Sequence, residues 1–195
     1  MSLAVTFDPI TDLAGLWTTD LAERYLPDPG LPPAKYECVD GKLVVSPYEA
    51  GPNVYAADEM RGLLKPAARA AGLRIYTTVN LRMTPQRWIQ PDLTVMRSPI
   101  PDVWADAGDA VLVGEFVSPS SVTRDRVDKP LLCAQAGIPF YLHGEVSLRT
   151  RTATLRFFRL VDGEYEQVAL AHTGDLFEIT EPFPVSFDPV ALLDL

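Results

Sequence analysis

Two carboxylates sit inside segments that read as β-strands: Asp92 in Gln90-Pro91-Asp92-Leu93-Thr94-Val95 and Glu115 in Val113-Gly114-Glu115-Phe116-Val117. Carboxylates are depleted from strands and are rarely buried without a partner, so each needs a reason to be there. If Trp88–Arg97 and Ala110–Val117 pair antiparallel with Arg97 opposite Ala110, Asp92 falls opposite Glu115. Their β-carbons would then lie about 4.5–5.5 Å apart. Two like charges at that distance repel, and more strongly where water is scarce. Either one stays protonated or a cation lies between them. Mg²⁺ answers directly, because it takes one or two carboxylates, keeps several waters and binds phosphate oxygens. The competing reading is that one carboxylate points to solvent or forms a salt bridge.

Lys129 adds to the constellation. It lies in Thr123-Arg124-Asp125-Arg126-Val127-Asp128-Lys129, on the helix expected directly after the strand of Glu115. Such a helix packs back on the sheet and can aim a long cationic side chain at the carboxylates. There a lysine would orient or deprotonate a metal-bound water and offset charge on an attacked phosphate. The plain alternative is that Arg124, Arg126 and Lys129 form a solvated helix face, with Asp125 and Asp128 capping or pairing locally. Glu37, just before an Asp40-Gly41 turn, either reaches the same cluster through water or is an ordinary edge-strand charge.

The elements that must position these residues follow from turn and period signals. Trp17–Tyr25 reads as a short helix capped by Thr18 or Thr19 and stopped by Pro27-Asp28-Pro29-Gly30. Tyr36–Val45 predicts a hairpin about Asp40-Gly41. Asn53–Ala71 fits a helix on the spacing of Val54, Ala57, Met60, Leu64 and Ala68, ended by Gly72, with Pro66 as a possible kink. Leu73–Met83 and Trp88–Arg97 read as strands, Ser98–Asp109 as a loop, and Ala110–Val117 as a central buried strand. A helix over Val122–Ala136 leads to a strand at Phe140–His143. Thr152–Leu160 and Tyr165–Ala171 predict a second hairpin, whose Leu155, Phe157, Val168 and Leu170 make it apolar. A C-terminal helix is expected over Asp188–Leu195. The order implies an α+β fold with a mixed β-sheet flanked by helices and an added β-hairpin.

Composition narrows the function classes. The chain has 195 residues, 47% hydrophobic and 22% charged, which fits one folded domain of 1–195 with a short extension over 1–16. No apolar run reaches the ~18 residues of a membrane span. No signal peptide is readable at the N-terminus, so a cytoplasmic location is expected. Two distant cysteines, Cys38 and Cys133, exclude a disulfide framework, and two histidines exclude a histidine-rich metal site. The usual nucleotide-binding glycine motifs are absent, and Ser118 and Ser120 lack the surroundings of a serine hydrolase. Seventeen basic against 26 acidic residues give a net charge of −9, which opposes non-specific nucleic-acid binding. Arg87, Arg97, Arg124 and Arg126 would have to gather at one mouth to offset it.

The ordered set Tyr36-Glu37, Asp40 to Pro47, Gln90-Pro91-Asp92, Glu115 to Ser121, Arg124-Asp125, Lys129 and Ala136-Gly137-Ile138-Pro139 resembles the Uma-type restriction endonucleases. These belong to the PD-(D/E)XK nuclease superfamily, and the resemblance runs over 18–193. It implies a restriction-endonuclease-like core, with Asp92, Glu115 and the Phe116 carbonyl as metal ligands. The superfamily's usual lysine, two positions after the glutamate, falls at Val117; Uma-type sequences place one on the next helix, here Lys129, and often a glutamate at the position of Glu37. Asn53 stands where the family often has histidine, Cys133 where tyrosine is common, and Tyr141-Leu142-His143 differs from the usual strand. The implied activity is Mg²⁺-dependent (Mn²⁺ as substitute) hydrolysis of phosphodiesters; the expected partners are DNA rather than RNA and a second copy of the chain in a homodimer. The alternative is a nuclease-fold binding or interaction protein with little or no catalysis, acting as a homodimer.

Overall fold

A computed structural model describes residues 7–30, 33–47, 49–117 and 128–193. In chain order the elements are α1 (Pro9–Asp12), α2 (Thr19–Tyr25), β1 (Lys35–Val39), β2 (Lys42–Ser46) and α3 (Gly51–Ala70). Then come β3 (Arg74–Tyr76), β4 (Asn80–Thr84), β5 (Arg87–Ile89), β6 (Leu93–Met96), β7 (Trp104–Asp106) and β8 (Ala110–Phe116). The last are α4 (Lys129–Gln135), β9 (Phe140–Ser147), β10 (Thr152–Val161), β11 (Glu164–His172), β12 (Phe177–Ile179) and β13 (Val185–Phe187). They fall into two compact units, the first drawn from Met1–Tyr48 and Arg82–Gln90, the second from Glu49–Leu81 and Pro91–Leu195.

In the first unit, Thr18 caps α2 by accepting a hydrogen bond from the Leu21 amide at 3.3 Å. The β1–β2 hairpin turns through Asp40 and Gly41, with φ of 51° and 76°. Both torsions are left-handed, as the two-residue turn that matches strand twist requires. β5 pairs with the other side of β1, Cys38 opposite Trp88, so β1 is an interior strand. Trp17, Cys38 and Trp88 are buried here, and the Trp88 indole donates to the Tyr36 carbonyl at 2.8 Å.

The second unit carries a six-stranded mixed sheet in the order β11-β10-β9-β8-β6-β3. Only β8 and β9 run parallel; the other pairs are antiparallel. Every residue of β8 is buried, as expected of a central strand covered on both faces. Period-two alternation then divides the sheet. Leu93, Val95, Leu112, Phe116, Leu142, Leu155 and Phe157 turn to one face and form the core with Ala56, Ala57, Met60, Leu64 and Ala68 of α3. The intervening residues, Thr94, Val113, Glu115, Tyr141 and His143 among them, turn to the opposite face, where Lys129 of α4 meets Glu115.

The expected α+β architecture is present, with corrections. Leu73–Met83 is not one strand but β3 and β4, broken at Thr78, whose φ is 54°. Trp88–Arg97 is likewise β5 and β6, broken at Gln90-Pro91-Asp92, because proline has no N–H to give a ladder. The predicted β6–β8 register holds for Leu93↔Gly114, Thr94↔Val113 and Val95↔Leu112. An irregularity after Val95 then pairs Met96, not Arg97, with Ala110. The Ser98–Asp109 loop contains β7 and a 3₁₀ turn at Ala107–Asp109. Among the described residues the C-terminal helix is a 3₁₀ turn, Pro189–Leu192, capped by Asp188, and 194–195 lie outside them. On the second hairpin Leu155 and Phe157 are buried, whereas Val168 and Leu170 are about half exposed. On α3, Val54 is exposed and Asn53 buried, so the helix stripe starts one residue earlier than predicted. Of the Val122–Ala136 helix, 122–127 lie outside the described residues, and α4 covers Lys129–Gln135.

Gly144 of β9 pairs with Phe116, and a β-carbon there would come within 2.5 Å of the Phe116 ring. That ring is itself packed in the core, so it has little room to yield. Gly144→Ala is therefore expected to destabilise the protein by about 1–3 kcal/mol, read as a lower urea midpoint with an unchanged slope.

Candidate active site

The end of β8 and the start of β6 place two acids on one face of the sheet. Asp92 directly precedes β6, and extending the observed register sets it across from Glu115. Both are buried. Lys129 is also buried, and its Nζ lies 2.8 Å from Glu115 Oε1. A lysine and a carboxylate removed from water need each other: desolvation costs each several kcal/mol, which only a close partner offsets. Pro130 follows Lys129 in the first turn of α4, a position where proline costs the helix nothing.

The Phe116 peptide is held from both ends. Its N–H donates to Asp92 Oδ2 at 2.8 Å, and its carbonyl accepts from Asn53 Nδ2 at 2.9 Å. The backbone between the two acids is thus fixed by one acid and by the first turn of α3. Cys133, one turn beyond Lys129 on α4, is fully buried beside the ion pair. Burial, then the Glu115 charge, push its thiol far up, while Lys129 pulls the other way. It is packing, not a nucleophile.

The structure thus brings together Asp92, Glu115, Phe116 and Lys129. Lys129 is not on a solvated helix face, and neither acid points into solvent, but Glu115 does form the salt bridge that the competing reading allowed. Glu37 belongs to the first unit, where it is buried on an interior strand and accepts from the Gln90 amide at 2.9 Å; the edge-strand reading is wrong. Arg87 pairs with Asp40, and Arg97 donates to the carbonyls of Gly108 and Ala110. Arg124 and Arg126 lie outside the described residues. Asn53 was noticed in the sequence only as a departure from the family's histidine. Its position in the Asn53, Ala57, Met60, Leu64, Ala68 stripe, a polar side chain on a buried helical face, was the available signal.

The donor set is chemically suited to a hard divalent cation. Two carboxylates and a backbone carbonyl offer oxygen alone, the preference of Mg²⁺ and Mn²⁺. The carbonyl retains a second lone pair beside the Asn53 bond. No group of three His, Cys, Asp or Glu that could hold a metal occurs among the described residues.

The family model described as "Uma2: Putative restriction endonuclease" matches residues 22–194. The chain belongs to the Uma2 family. A crystal structure described as "a putative nuclease belonging to DUF820 from Anabaena variabilis ATCC 29413" superposes with a TM-score of 0.62 at 15% identity. The match covers 90% of this chain and 96% of that one, which assigns the restriction-endonuclease-like fold. No curated protein matches the sequence. Among the described residues of this Uma2 chain, no helix is long and apolar enough to cross a membrane.

Two outcomes follow from the buried electrostatics. Lys129→Met strands a buried carboxylate and is expected to cost about 3–5 kcal/mol in urea denaturation, part of which Glu115→Gln on top restores. Cys38, pushed up to about 11 chiefly by burial, and Cys133 should both be silent to a thiol reagent at pH 8 in the folded protein. Two equivalents should appear on denaturation.

Proposed function

We propose that this Uma2 protein is a Mg²⁺-dependent endonuclease that hydrolyses phosphodiester bonds of DNA. The observation that carries the reading is the buried meeting of Asp92, Glu115 and Lys129 on one sheet face, with Lys129 2.8 Å from Glu115. A divalent cation held by Asp92, Glu115 and the Phe116 carbonyl would supply Lewis acidity at the phosphate and lower the pKa of a bound water. Mn²⁺ would substitute.

The side chains supply the rest. Lys129 holds Glu115 in one orientation, and its ammonium, already desolvated, sits where it offsets charge on an attacked phosphate. Its protons can also orient the attacking water. Asp92 is kept in place by the Phe116 N–H, and Asn53 keeps the Phe116 carbonyl pointing as it does. Burial of the three charged groups excludes bulk water and strengthens each interaction. Glu37 holds the Gln90 amide within the first unit.

A second reading, a nuclease-fold interaction protein working as a homodimer, draws on β11. That strand lies at the edge of the six-stranded sheet and exposes Val168 and Leu170. The net charge of −9 also favours it.

Nicking of supercoiled plasmid with Mg²⁺ tests the reading. Activity should vanish with a chelator and fall at least about 100-fold in Asp92→Ala and in Lys129→Ala. Calorimetric titration with Mn²⁺ should show saturable binding that Glu115→Ala abolishes. Cleavage that persists in both variants sinks the assignment. No cleavage and no metal binding, with a dimer in sedimentation, favours the second reading.

A further inference from the structure

The face of the sheet that bears Glu115 changes character along its strands. At one level Val113, Tyr141 and Phe158 stand side by side on β8, β9 and β10. Two residues further on, the neighbours become Glu115, His143 and Arg156. The next level on β9, β10 and β11 is Glu145, Thr154 and His172. An apolar surface thus gives way to a polar strip running outward from the acids. Exposure rises along it: Glu115 and His143 are buried, the side chains of Glu145 and Arg156 are each 33% exposed, and His172 is exposed.

The strip is organised. Arg156 Nη1 donates to Glu145 Oε1 at 2.6 Å, and the same oxygen lies 3.7 Å from His143 Nδ1. The Thr154 hydroxyl lies 3.0 Å from His172 Nδ1. Both histidines of the chain therefore lie on this face, beside its one arginine at that level. A guanidinium carries five donors; Glu145 engages one nitrogen of Arg156, and the side chain is 33% exposed, so donors remain for an anion. β10 is two strand spacings from β8, about 10 Å, which places Arg156 within reach of a phosphate neighbouring one held at Glu115. A chain with a net charge of −9 that acts on a polyanion needs such a local cation close to its acids.

We propose that Arg156, with His172 beyond it, is the subsite that grips the DNA phosphates flanking the scissile bond, and so sets the path of the substrate strand across β9, β10 and β11. The inference rests on the nuclease reading above. Arg156 binds substrate; Glu145 positions it. Arg159, three residues along β10, supplies the internal control, because it lies on the opposite face and pairs with Glu181 at 3.4 Å.

The test uses full-length protein and a fluorescein-labelled DNA oligonucleotide, with binding read by anisotropy across a salt series and nicking read in parallel. Arg156→Gln should weaken binding about 5- to 10-fold and reduce the salt slope by about 0.7–0.9, the loss of one phosphate contact. KM should rise while kcat stays within about two-fold. Arg156→Lys should recover the slope, and His172→Gln, at an exposed position that folding tolerates, should weaken binding about two- to three-fold. Arg159→Gln should match the wild type. Thermal melts of all four variants separate lost contact from lost fold. Wild-type binding with an unchanged slope in Arg156→Gln, or an equal loss in Arg159→Gln, overturns the subsite and leaves the nuclease reading standing. A wild type that neither binds nor cuts the oligonucleotide overturns the nuclease reading itself, and the subsite with it.

Discussion

A carboxylate at the centre of a sheet has no water to turn to, and the rest of the second unit is arranged around that fact. Glu115 lies on a strand buried at every residue, flanked by β6 and β9. Its charge is met by Lys129 from the helix that covers this face. The pair constrains the fold in both directions: α4 must sit where its first residue reaches Glu115, and β8 must present Glu115 to α4 rather than to α3. Well-packed apolar residues could satisfy the same geometry at no loss of stability, since a buried ion pair rarely stabilises more than it costs to desolvate. That such a pair stands here is a reason to look for chemistry rather than for stability.

The two faces of the sheet are linked through Phe116. Its ring belongs to the core under α3 and lies against Gly144, while its peptide meets Asp92 on one side and Asn53 on the other. Packing on the apolar face thereby sets the backbone carbonyl that the polar face would use. The glycine is a consequence of this, since any side chain at that point of β9 would displace the ring. Core packing density, normally an argument about stability, here becomes an argument about where a ligand oxygen lies.

Much of this was legible from residue types. The unbroken apolar run of β8 announced a central strand, the Asp40-Gly41 dipeptide announced its hairpin, and the β6–β8 register held from Leu93 to Val95, with Asp92 just before the strand. What was illegible depends on information that is not local. Thr78 adopts a left-handed torsion that its type does not favour, so the break between β3 and β4 is invisible in propensity. Glu37 read equally as an edge charge or as a member of the acid cluster, because nothing in its own segment says that β5 will lie on the far side of β1. Asn53 was passed over because Val54 fits an apolar period equally well, and only packing decides between stripes one residue apart. The strip from His143 to His172 needed the register of three strands, one of them parallel to β8, before its members could be seen as neighbours.

The segment Gln90-Pro91-Asp92 shows how a site can be assembled before any ligand arrives. The Gln90 amide is taken by Glu37, the Pro91 carbonyl accepts from the Thr78 amide at 3.2 Å, and the Asp92 carboxylate accepts from Phe116. Within the second unit Pro91 and Asp92 are each tied to a different segment, and the proline removes one backbone freedom outright. The residue before a proline is also held away from helical torsions, which keeps Gln90 extended. A carboxylate delivered by so constrained a segment has little conformational entropy left to lose when it meets a cation or a phosphate, and that is the condition under which a tightly positioned acid can act. The unusual torsion at Thr78 belongs to the same logic, because it is where the chain leaves β3 and offers its amide to Pro91. Local strain of this kind persists only where surrounding contacts over-determine it, and here those contacts converge on the residue before Asp92.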